Sequence, residues 1–259
     1  MIDLHSHILF GIDDGAKDIN LSLEMARLAV ADGTTHIACT PHIMPSVYEN
    51  TPAIISSRMT ELQNALNNEK IPLKLIVGAD AHLCFDMVEK LQAKAIPTLA
   101  NTKYFLFEPP HRVLPPNITA FGKKIINSGY IPILTHPERL TWIETHYENI
   151  CELDEIGMVI QITAASITGQ FGSRAKYWAE RMLDEGRVDI IASDAHDTKY
   201  RPPGLSKAKL EVTQRLSNEA ANRIFFENPS LILNNKPIPK KTRVKLQKPR
   251  FEWLLSKFK

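Results

Sequence analysis

Two short histidine-containing motifs in this sequence have a spacing that suits metal binding. His5 and His7 stand two residues apart after a short apolar segment, and Asp194 and His196 repeat this spacing. In a β-strand, residues i and i+2 point to the same side, so each pair can direct two ligand atoms at one cation. An isolated pair of this kind is more often two half-buried histidines. Its repetition at the ends of two predicted strands favours a metal site.

Further metal-type ligands follow other predicted strands. His42, Asp80, Glu108 and His136 occupy such positions, so that five of the nine histidines in the chain stand at strand ends. If the strands form a β/α barrel, their carboxyl ends share one face and these side chains converge. Imidazole and carboxylate ligands together suit Mn, Fe, Zn or Co, and carboxylates can bridge two ions. The pattern predicts a site for more than one metal ion.

The elements that must position these residues alternate along the chain as short apolar strands and longer amphipathic helices. The predicted strands are 2–5, 35–39, 73–78, 104–107, 131–135, 158–163 and 189–193. The predicted helices lie near 19–33, 51–69, 85–94, 117–129, 144–157, 172–186, 205–217 and 218–227. This alternation is the βα pattern of a parallel sheet. Seven such units without a break in composition predict a single-domain α/β fold, a distorted (β/α)7 TIM-like barrel.

The composition is that of an ordinary globular protein. The chain has 259 residues, of which 44% are hydrophobic and 23% charged. No apolar run approaches the roughly 18 to 20 residues of a membrane-spanning helix, and the N-terminal segment lacks the basic and apolar regions of a secretory signal. The widely spaced cysteines Cys39, Cys84 and Cys151 fit free thiols in a reducing compartment. We therefore expect a cytoplasmic protein.

The small net charge of +2 conceals a basic C-terminal segment. Residues 236–259 contain nine Lys or Arg and one acid, a net +8, so residues 1–235 carry 22 basic against 28 acidic residues, a net −6. An acidic body argues against a nucleic-acid-binding surface. We predict a catalytic domain over 1–235 and a basic C-terminal tail over 236–259.

Several longer motifs connect the chain to a known family. They are "MIDLHSHILFGIDDGAKD", "IACTPH", "VGAD", "YFLFE", "GYIPILTHPER", "VIQITAASITGQFG" and "IIASDAHDTKYRPP". They span roughly residues 1–235 in order, and there the chain resembles the polymerase and histidinol phosphatase (PHP) superfamily. Within it, the chain is similar to the CpsB-like bacterial PHP-type tyrosine-protein phosphatases of capsule and exopolysaccharide biosynthesis. The resemblance implies a metal-dependent phosphoester hydrolase that acts on phosphotyrosine in proteins.

Carried over position by position, the resemblance implies up to three metal ions. The implied ligand sets are His5, His7, Asp80 and Asp194 for the first ion, Asp80, Glu108 and His136 for the second, and Asp14, His42 and His196 for the third. Mn²⁺ is the expected ion, with Fe, Zn, Co or Mg as alternatives. The sequence leaves open whether Asp13 or Asp14 is the ligand. Position 80 is often Glu in relatives, and the shorter arm of Asp80 can change metal spacing or preference.

The predicted reaction is attack of a metal-bound hydroxide on phosphorus, because cations lower the pKa of bound water. Arg139 and Arg201 follow His136 and His196 closely, and their planar guanidinium groups suit phosphoryl oxygens. Asp194 is predicted to act in catalysis as well as in metal binding. A cysteine-dependent phosphatase is excluded, since no Arg stands six positions after any of the three cysteines.

Other functions stay open at this point. They are hydrolysis of a small phosphate such as histidinol phosphate, a PHP nuclease activity, and a non-catalytic regulatory protein with a vestigial metal site. Phe10 and Phe171 are candidates to stack on a phenyl ring, although core packing explains them equally well. The remaining histidines are expected to be structural or surface residues, with His82 the nearest to the predicted site: His36, His82, His111 and His146.

The basic tail suggests a partner. Its basic run precedes five apolar residues, a pattern that suits an anionic membrane surface or an acidic protein. The apolar residues are Phe251, Trp253, Leu254, Leu255 and Phe258. The family resemblance implies a membrane-anchored bacterial tyrosine kinase of polysaccharide export as the phosphotyrosine substrate. A solvated extension without a partner is the alternative.

Overall fold

Parallel β-strands form two sheets in this computed structural model, which describes residues 1–239 and 242–244. Within these residues the strands are β1 Ile2–Asp3, β2 His36–Cys39, β3 His42–Met44, β4 Tyr48–Glu49, β5 Lys74–Val77, β6 Asp80–His82, β7 Tyr104–Glu108, β8 Ile131–Thr135, β9 Val159–Thr163 and β10 Ile190–Ala192. All seven predicted strands are present. The short strands β3, β4 and β6 are additional.

Helices fill the connections between the strands. In the described residues they are α1 Ile19–Ala31, α2 Pro52–Asn68, α3 Met87–Gln92, α4 Ile118–Asn127, α5 Ile143–Glu155, α6 Ala164–Ile167, α7 Gly172–Asp184, α8 Ser206–Arg215, α9 Asn218–Asn222 and α10 Asn228–Leu233. Each predicted helix is found within a few residues of its expected bounds. Among the described helices, none has both the length and the apolar character needed to cross a bilayer.

The chain passes directly from one sheet to the other at two breaks, and it returns to the first sheet through α2. One sheet has the order β1-β2-β5 and the other β10-β9-β8-β7-β6-β3-β4, with only the β3–β4 pair antiparallel among the described strands. Thr40–Pro41 separates β2 from β3, and Gly78–Ala79 separates β5 from β6. A single bridge, Ser6 to Ala195, links the ends of β1 and β10. The chain is one mixed α/β domain, and a continuous closed barrel is not seen among these strands.

Gly78 shows why the third predicted strand is interrupted. A Cβ at this position would lie 2.8 Å from Leu99 Cδ2 and 3.0 Å from Thr40 Cγ2. Both distances are shorter than an ordinary van der Waals contact, so a side chain here would displace Leu99 or Thr40. The glycine lets β5 and the β2–β3 connection approach each other, and Asp80 then starts β6 beside His42 of β3.

The apolar core consists of three clusters, two between the helices and the sheets and a smaller one inside the sheets. One cluster packs α3–α9 against the outer faces of β6–β10, and a second packs α1 and α2 against β2 and β5. A third lies inside the sheets and includes Leu4, Leu106, Ile133 and Ile190, with Ile232 of α10 against it. Because apolar side chains fill this interior, the polar residues are left at the carboxyl ends of the strands.

The start of the predicted tail contacts the body. Arg243 donates to the buried carboxylate of Asp154 with Nε–Oδ2 at 2.6 Å, and the Val244 amide donates to the Glu185 carbonyl at 3.1 Å. Asp154 also accepts from the buried Arg187. Arg243 is therefore a tether that the sequence did not predict. The apolar tail residues from Phe251 to Phe258 lie outside the described residues.

Candidate metal centre

The strand ends bring the predicted ligands to one place. Glu108 is the last residue of β7, His136 follows β8, and Asp194 lies two residues after β10. His42 and Asp80 begin β3 and β6 directly after the two breaks. Because these strands run parallel, the side chains meet at a common edge. The resulting groups, with ligand atoms within 4.8 Å of one another, are His7-Asp14-His42-His196, His5-His7-Asp80, His5-His136-Asp194, His42-His82-Glu108 and Glu108-His111-His136.

Every predicted metal-ligating residue occurs in one of these groups. The grouping nevertheless differs from the one that the resemblance implies. His7 joins the residues expected around the third ion, and Glu108 is grouped with His82 and His111 instead of with Asp80. Asp80 is buried, and its Oδ2 lies 3.5 Å from His5 Nε2 and 3.3 Å from His42 Nδ1. It therefore lies between a residue of the first predicted ligand set and a residue of the third.

The two aspartates of the D-D-G motif have different surroundings. Asp13 accepts from His7 Nδ1 at 2.7 Å and from the His42 amide at 3.1 Å, so it orients two histidines. Asp14 Oδ1 lies 3.4 Å from His196 Nε2 and faces the cluster. The glycine of the motif is required by packing, since a Cβ on Gly15 would lie 2.1 Å from the His7 carbonyl oxygen. This geometry favours Asp14 over Asp13 as a ligand and gives Asp13 the orienting role.

The carboxylate of Asp194 has a different neighbour on each oxygen. Its Oδ1 lies 3.3 Å from His5 Nε2 and 3.4 Å from His7 Nε2. Its Oδ2 accepts from both Arg139 and Arg201. One side chain thus connects the histidine cluster to the two guanidinium groups, and the predicted phosphate-binding residues lie beside the predicted ligands.

Phe171 lies beneath both arginines. The guanidinium carbon of Arg139 is 4.9 Å from the centre of the Phe171 ring, and that of Arg201 is 6.0 Å away. Cation–π attraction at such distances holds the guanidinium planes over the ring. The prediction that Phe171 lies at the site is consistent with this position. Phe10 packs against the core cluster of α1 and α2 and carries Arg58 over its ring at 4.8 Å.

Charge in the cluster shifts several pKa values. Burial alone would lower the pKa of His5, but the carboxylates of Asp194 and Asp80 outweigh it and raise the pKa to about 9. For His42, Asp80 and Glu108 likewise outweigh burial and raise the pKa to about 11. The pKa of His136 falls well below its usual value because of burial and the positive charge of Arg139. The carboxylates thus favour the charged form of His5 and His42, a proton that a bound cation would displace, whereas burial and Arg139 favour the neutral form of His136, which is the form that binds a metal.

Several buried polar atoms of the cluster have no hydrogen-bond partner among the described residues. They are His42 Nδ1, Asp80 Oδ1 and Oδ2, Glu108 Oε2, His136 Nδ1 and His196 Nε2. Leaving such groups unpaired costs about 1–3 kcal/mol each, so a run of them in one place calls for a ligand. Nitrogen and carboxylate oxygen donors in this number fit transition-metal cations. The residues present therefore fit a polynuclear metal site.

Two cluster residues have a strained backbone. His136 has φ 34° and Asp194 has φ 52°, in the left-handed region that residues with a Cβ rarely adopt. Such conformations cost on the order of 1–3 kcal/mol each and persist where the surrounding structure fixes them. At these two positions the left-handed backbone conformation turns the side chains towards the cluster.

Comparison with known proteins identifies the family. The family model described as capsular polysaccharide synthesis, CpsB/CapC, matches residues 1–234. The chain belongs to the CpsB/CapC family. This confirms the resemblance drawn from the sequence motifs.

Relatives of this CpsB/CapC chain carry names that agree with the predicted chemistry. It is 34% identical over 238 residues to the tyrosine-protein phosphatase YwqE of Bacillus subtilis, which covers 92% of this chain and 93% of the relative. It is 32% identical over 244 residues to the tyrosine-protein phosphatase CpsB of Streptococcus agalactiae, covering 91% and 99%. These names support the predicted activity and give no support to the histidinol phosphate or nuclease alternatives.

Solved structures agree with this membership. A match with TM-score 0.90 and 33% identity, covering 95% of this chain and all of the other, comes from work on YwqE and on CpsB from Streptococcus pneumoniae, described as metal-dependent tyrosine phosphatases. A β-aspartyl dipeptidase from Fervidobacterium islandicum matches with TM-score 0.53 at 14% identity, which shows a shared fold alone. The α/β architecture of this CpsB/CapC chain is therefore common to proteins of different activity.

Two histidines near the CpsB/CapC cluster were not predicted as ligands. His82 Nε2 lies 2.5 Å from Glu108 Oε2, and His111 Nε2 lies 3.1 Å from Glu108 Oε1. His82 stands two residues after Asp80, the same spacing as in the two motifs His5–His7 and Asp194–His196. This spacing could have identified His82 as a residue of the site. His111 stands three residues after Glu108, beyond the end of β7, and periodicity carries no information there. The exposed His146 lies on α5 and His36 begins β2, as expected of structural or surface residues.

Proposed function

We propose that this CpsB/CapC chain is a metal-dependent tyrosine-protein phosphatase. The observation that carries the proposal is the shared carboxylate of Asp194, which joins the histidine cluster to Arg139 and Arg201. Cations and guanidinium groups on one face form a site for a group rich in negative oxygens, and a phosphoryl group fits that description. The names of the relatives agree with this activity.

The ions would be held by the residues that the sequence singles out, and Mn²⁺ is the ion we expect, with Fe, Zn, Co or Mg as alternatives. The proposed ligands are His5, His7, Asp14, His42, Asp80, Glu108, His136, Asp194 and His196. When bound, such ions supply an activated water near neutral pH and neutralise charge on the transferring group. Asp13 would orient His7 through its hydrogen bond to Nδ1.

The chain's own residues would bind and orient the phosphoryl group. Arg139 and Arg201 have side chains that are 21% and 24% exposed, so they are open to a ligand while largely desolvated. Their N–H groups now point to Asp194 Oδ2 and can turn part of their donors to phosphoryl oxygens. Phe171 limits the movement of both guanidinium planes. Asp194 would keep the arginines and the ligand cluster in a fixed relation, which is its proposed catalytic role.

A protein substrate is favoured by the loops around the site. Four loops that follow strand ends expose apolar side chains: Val47 at 57%, Phe85 at 96%, Val113 at 67% and Tyr200 at 71%. Loops that follow the strand ends share the face that carries the cluster, so these side chains would be available to contact a polypeptide substrate bound there. A site for a small metabolite needs no such surface, since it encloses its ligand.

Substrate preference tests the proposal directly. With Mn²⁺ added, a phosphotyrosine peptide should be hydrolysed with a kcat/KM on the order of ten times or more that for histidinol phosphate. The reason is that the apolar loops contact only the peptide. Phosphate release under identical conditions measures both. A preference for histidinol phosphate would contradict the proposal in favour of the small-molecule alternative.

We further propose that the two sheets together form a distorted (β/α)7 barrel over residues 1–235. Hydrogen bonds from the His7 amide to the Ala195 carbonyl at 2.8 Å and from the Asp194 amide to the His5 carbonyl at 2.9 Å support closure between β1 and β10. The direct succession of β2 by β3 and of β5 by β6 supports continuity on the other side. In this arrangement the ligands stand at the mouth of the barrel.

The partner that we propose is a membrane-anchored bacterial tyrosine kinase, with the chain in the cytoplasm and the basic tail near an anionic surface.

Deleting residues 245–259 should leave hydrolysis of a small aryl phosphate unchanged. Activity on a phosphotyrosine protein bound to anionic vesicles should fall and become less sensitive to salt, because the tail charges are lost. This deletion keeps Arg243 on Asp154, whereas one that starts at residue 240 would also remove this tether. Equal action on both substrates at low and high salt would contradict tail docking.

A further inference from the structure

The carboxylate of Glu108 stands between two pairs of histidines. His42 and His82 face its Oε2, and His111 and His136 face its Oε1. Glu108 and His136 are 3% and 2% exposed, and His136 Nδ1 has no hydrogen-bond partner in the part of the chain that the structure describes. The histidine nitrogens lie at different distances from the two carboxylate oxygens. These distances show on which side a metal ion can be shared.

On the Oε1 side, the spacing suits a shared cation. His111 Nε2 lies 3.1 Å and His136 Nε2 3.6 Å from Glu108 Oε1, and the two imidazole rings are 5.1 Å apart. Ligand atoms about 2.0–2.2 Å from one ion are about 2.8–3.6 Å from each other in octahedral or tetrahedral geometry. The His111 contact is a hydrogen bond, which a bound ion would replace, and both imidazole nitrogens lie within the range of distances from Glu108 Oε1 that one shared ion requires.

On the Oε2 side, the spacing is that of a direct contact. His82 Nε2 lies 2.5 Å from Glu108 Oε2, which is shorter than the separation of two ligands of one ion. His82 thus contacts the carboxylate itself, at a distance that leaves no room for an ion held by both atoms. His42 Nδ1, at 3.3 Å from Oε2, has the spacing of a shared ion, so Oε1 is the oxygen on which both facing imidazoles have it.

The loop that carries His111 is held in position. The His111 carbonyl accepts from the Thr141 amide at 2.9 Å and from Thr141 Oγ1 at 3.0 Å. The preceding Pro110 carbonyl accepts from the Trp142 indole at 3.0 Å. Because these bonds fix the backbone of the β7–α4 connection at His111, the imidazole is presented to Glu108 without first having to be ordered.

We propose that His111 is a further ligand of the ion held by Glu108 and His136, which rests on the proposed metal-dependent function. The ion expected to bind Asp80, Glu108 and His136 would gain a second imidazole. Asp80 has a shorter side chain than glutamate and lies in a different ligand group from Glu108. A nitrogen from His111 would therefore supply a ligand where Asp80 reaches less far. Since His111 is about one-third exposed, the part of this ion's site that it forms would be open to solvent.

Metal binding tests this proposal independently of catalysis. The full chain, His111→Ala, His111→Gln and the control His146→Ala are stripped of metal and titrated with Mn²⁺ by equilibrium dialysis. Both His111 variants should bind one equivalent fewer, or bind the last equivalent at least about tenfold more weakly. The visible absorption of bound Co²⁺ should change in both, and the His146→Ala variant should behave as the unaltered chain.

The glutamine variant separates ligation from positioning. A glutamine side chain at this position would still donate a hydrogen bond to Glu108 but is a poor ligand for these ions, so restored binding in His111→Gln would overturn the proposal and leave a positioning role. Unaltered Mn²⁺ binding and Co²⁺ absorption in His111→Ala would overturn it as well. If the unaltered chain bound no Mn²⁺, both this proposal and the proposed function would be wrong. If that chain bound its ions and only the His111 result failed, the proposed function would stand.

Discussion

Removal of the bound metal is expected to reduce phosphate release to background, and Mn²⁺ should restore it. The physical reason is that imidazole and carboxylate groups converge from six strands, and the cations that such groups bind lower the pKa of water enough to activate it near neutral pH. The experiment treats the protein with a chelator, verifies metal content by elemental analysis, and measures release from a phosphotyrosine peptide. Full turnover by a protein shown to contain no metal would contradict the central proposal.

The His136→Ala variant should show the same loss without unfolding. His136 follows β8, and its buried imidazole has a lowered pKa and makes no hydrogen bond through Nδ1 to any described residue, so its removal breaks no hydrogen bond of the fold at that atom. Alanine has the same backbone restriction at φ 34° and adds no new strain. We expect the activity to fall by about 10³ or more, with a melting temperature close to that of the unaltered chain. The exposed His146→Ala variant is the matched control and should keep full activity.

The sequence predicted the strands and the ligands for the same reason. Buried parallel strands are short, apolar and β-branched, as at residues 131–135 and 158–163, and a polar residue directly after such a run stands out. His5, His7, Glu108 and His136 were found in this way, and the structure brings them together. The end of a buried strand can be read from the local sequence, and in a parallel sheet it is also the place where the site forms.

The features that the sequence did not predict depend on tertiary packing. The strands β3 and β6 have three residues each and follow breaks at Pro41 and Gly78, where periodicity is lost. The division of roles between Asp13 and Asp14 depends on which one faces His7 Nδ1, and both are equally suited to a turn. His111 lies in a proline-rich loop whose path is fixed by Thr141 and Trp142, about thirty residues away in sequence.

The two arginines are expected to act on phosphate and not on metal assembly. Arg139→Ala or Arg201→Ala should lower kcat/KM by about 10²–10³, or about 3–4 kcal/mol of transition-state stabilisation, because a charged donor to the transferring group is lost. Arg→Lys should restore little, since an ammonium group cannot donate two parallel hydrogen bonds. The control is Arg215→Ala on α8, which breaks an exposed ion pair with Asp184 and should leave kcat/KM unchanged.

The metal content of the arginine variants shows whether a fall in kcat/KM comes from lost phosphate binding or from a displaced Asp194. Both guanidinium groups bind Asp194 Oδ2, while Oδ1 faces His5 and His7, so the loss of an arginine can also act through the position of this carboxylate. The remaining arginine still holds Oδ2, and we therefore expect each single variant to retain its full Mn²⁺ content. A variant that lost its ions would reassign that arginine to the support of Asp194. Unchanged kcat/KM in both variants would mean that the ions alone bind the phosphoryl group, because no direct donor would then have been removed.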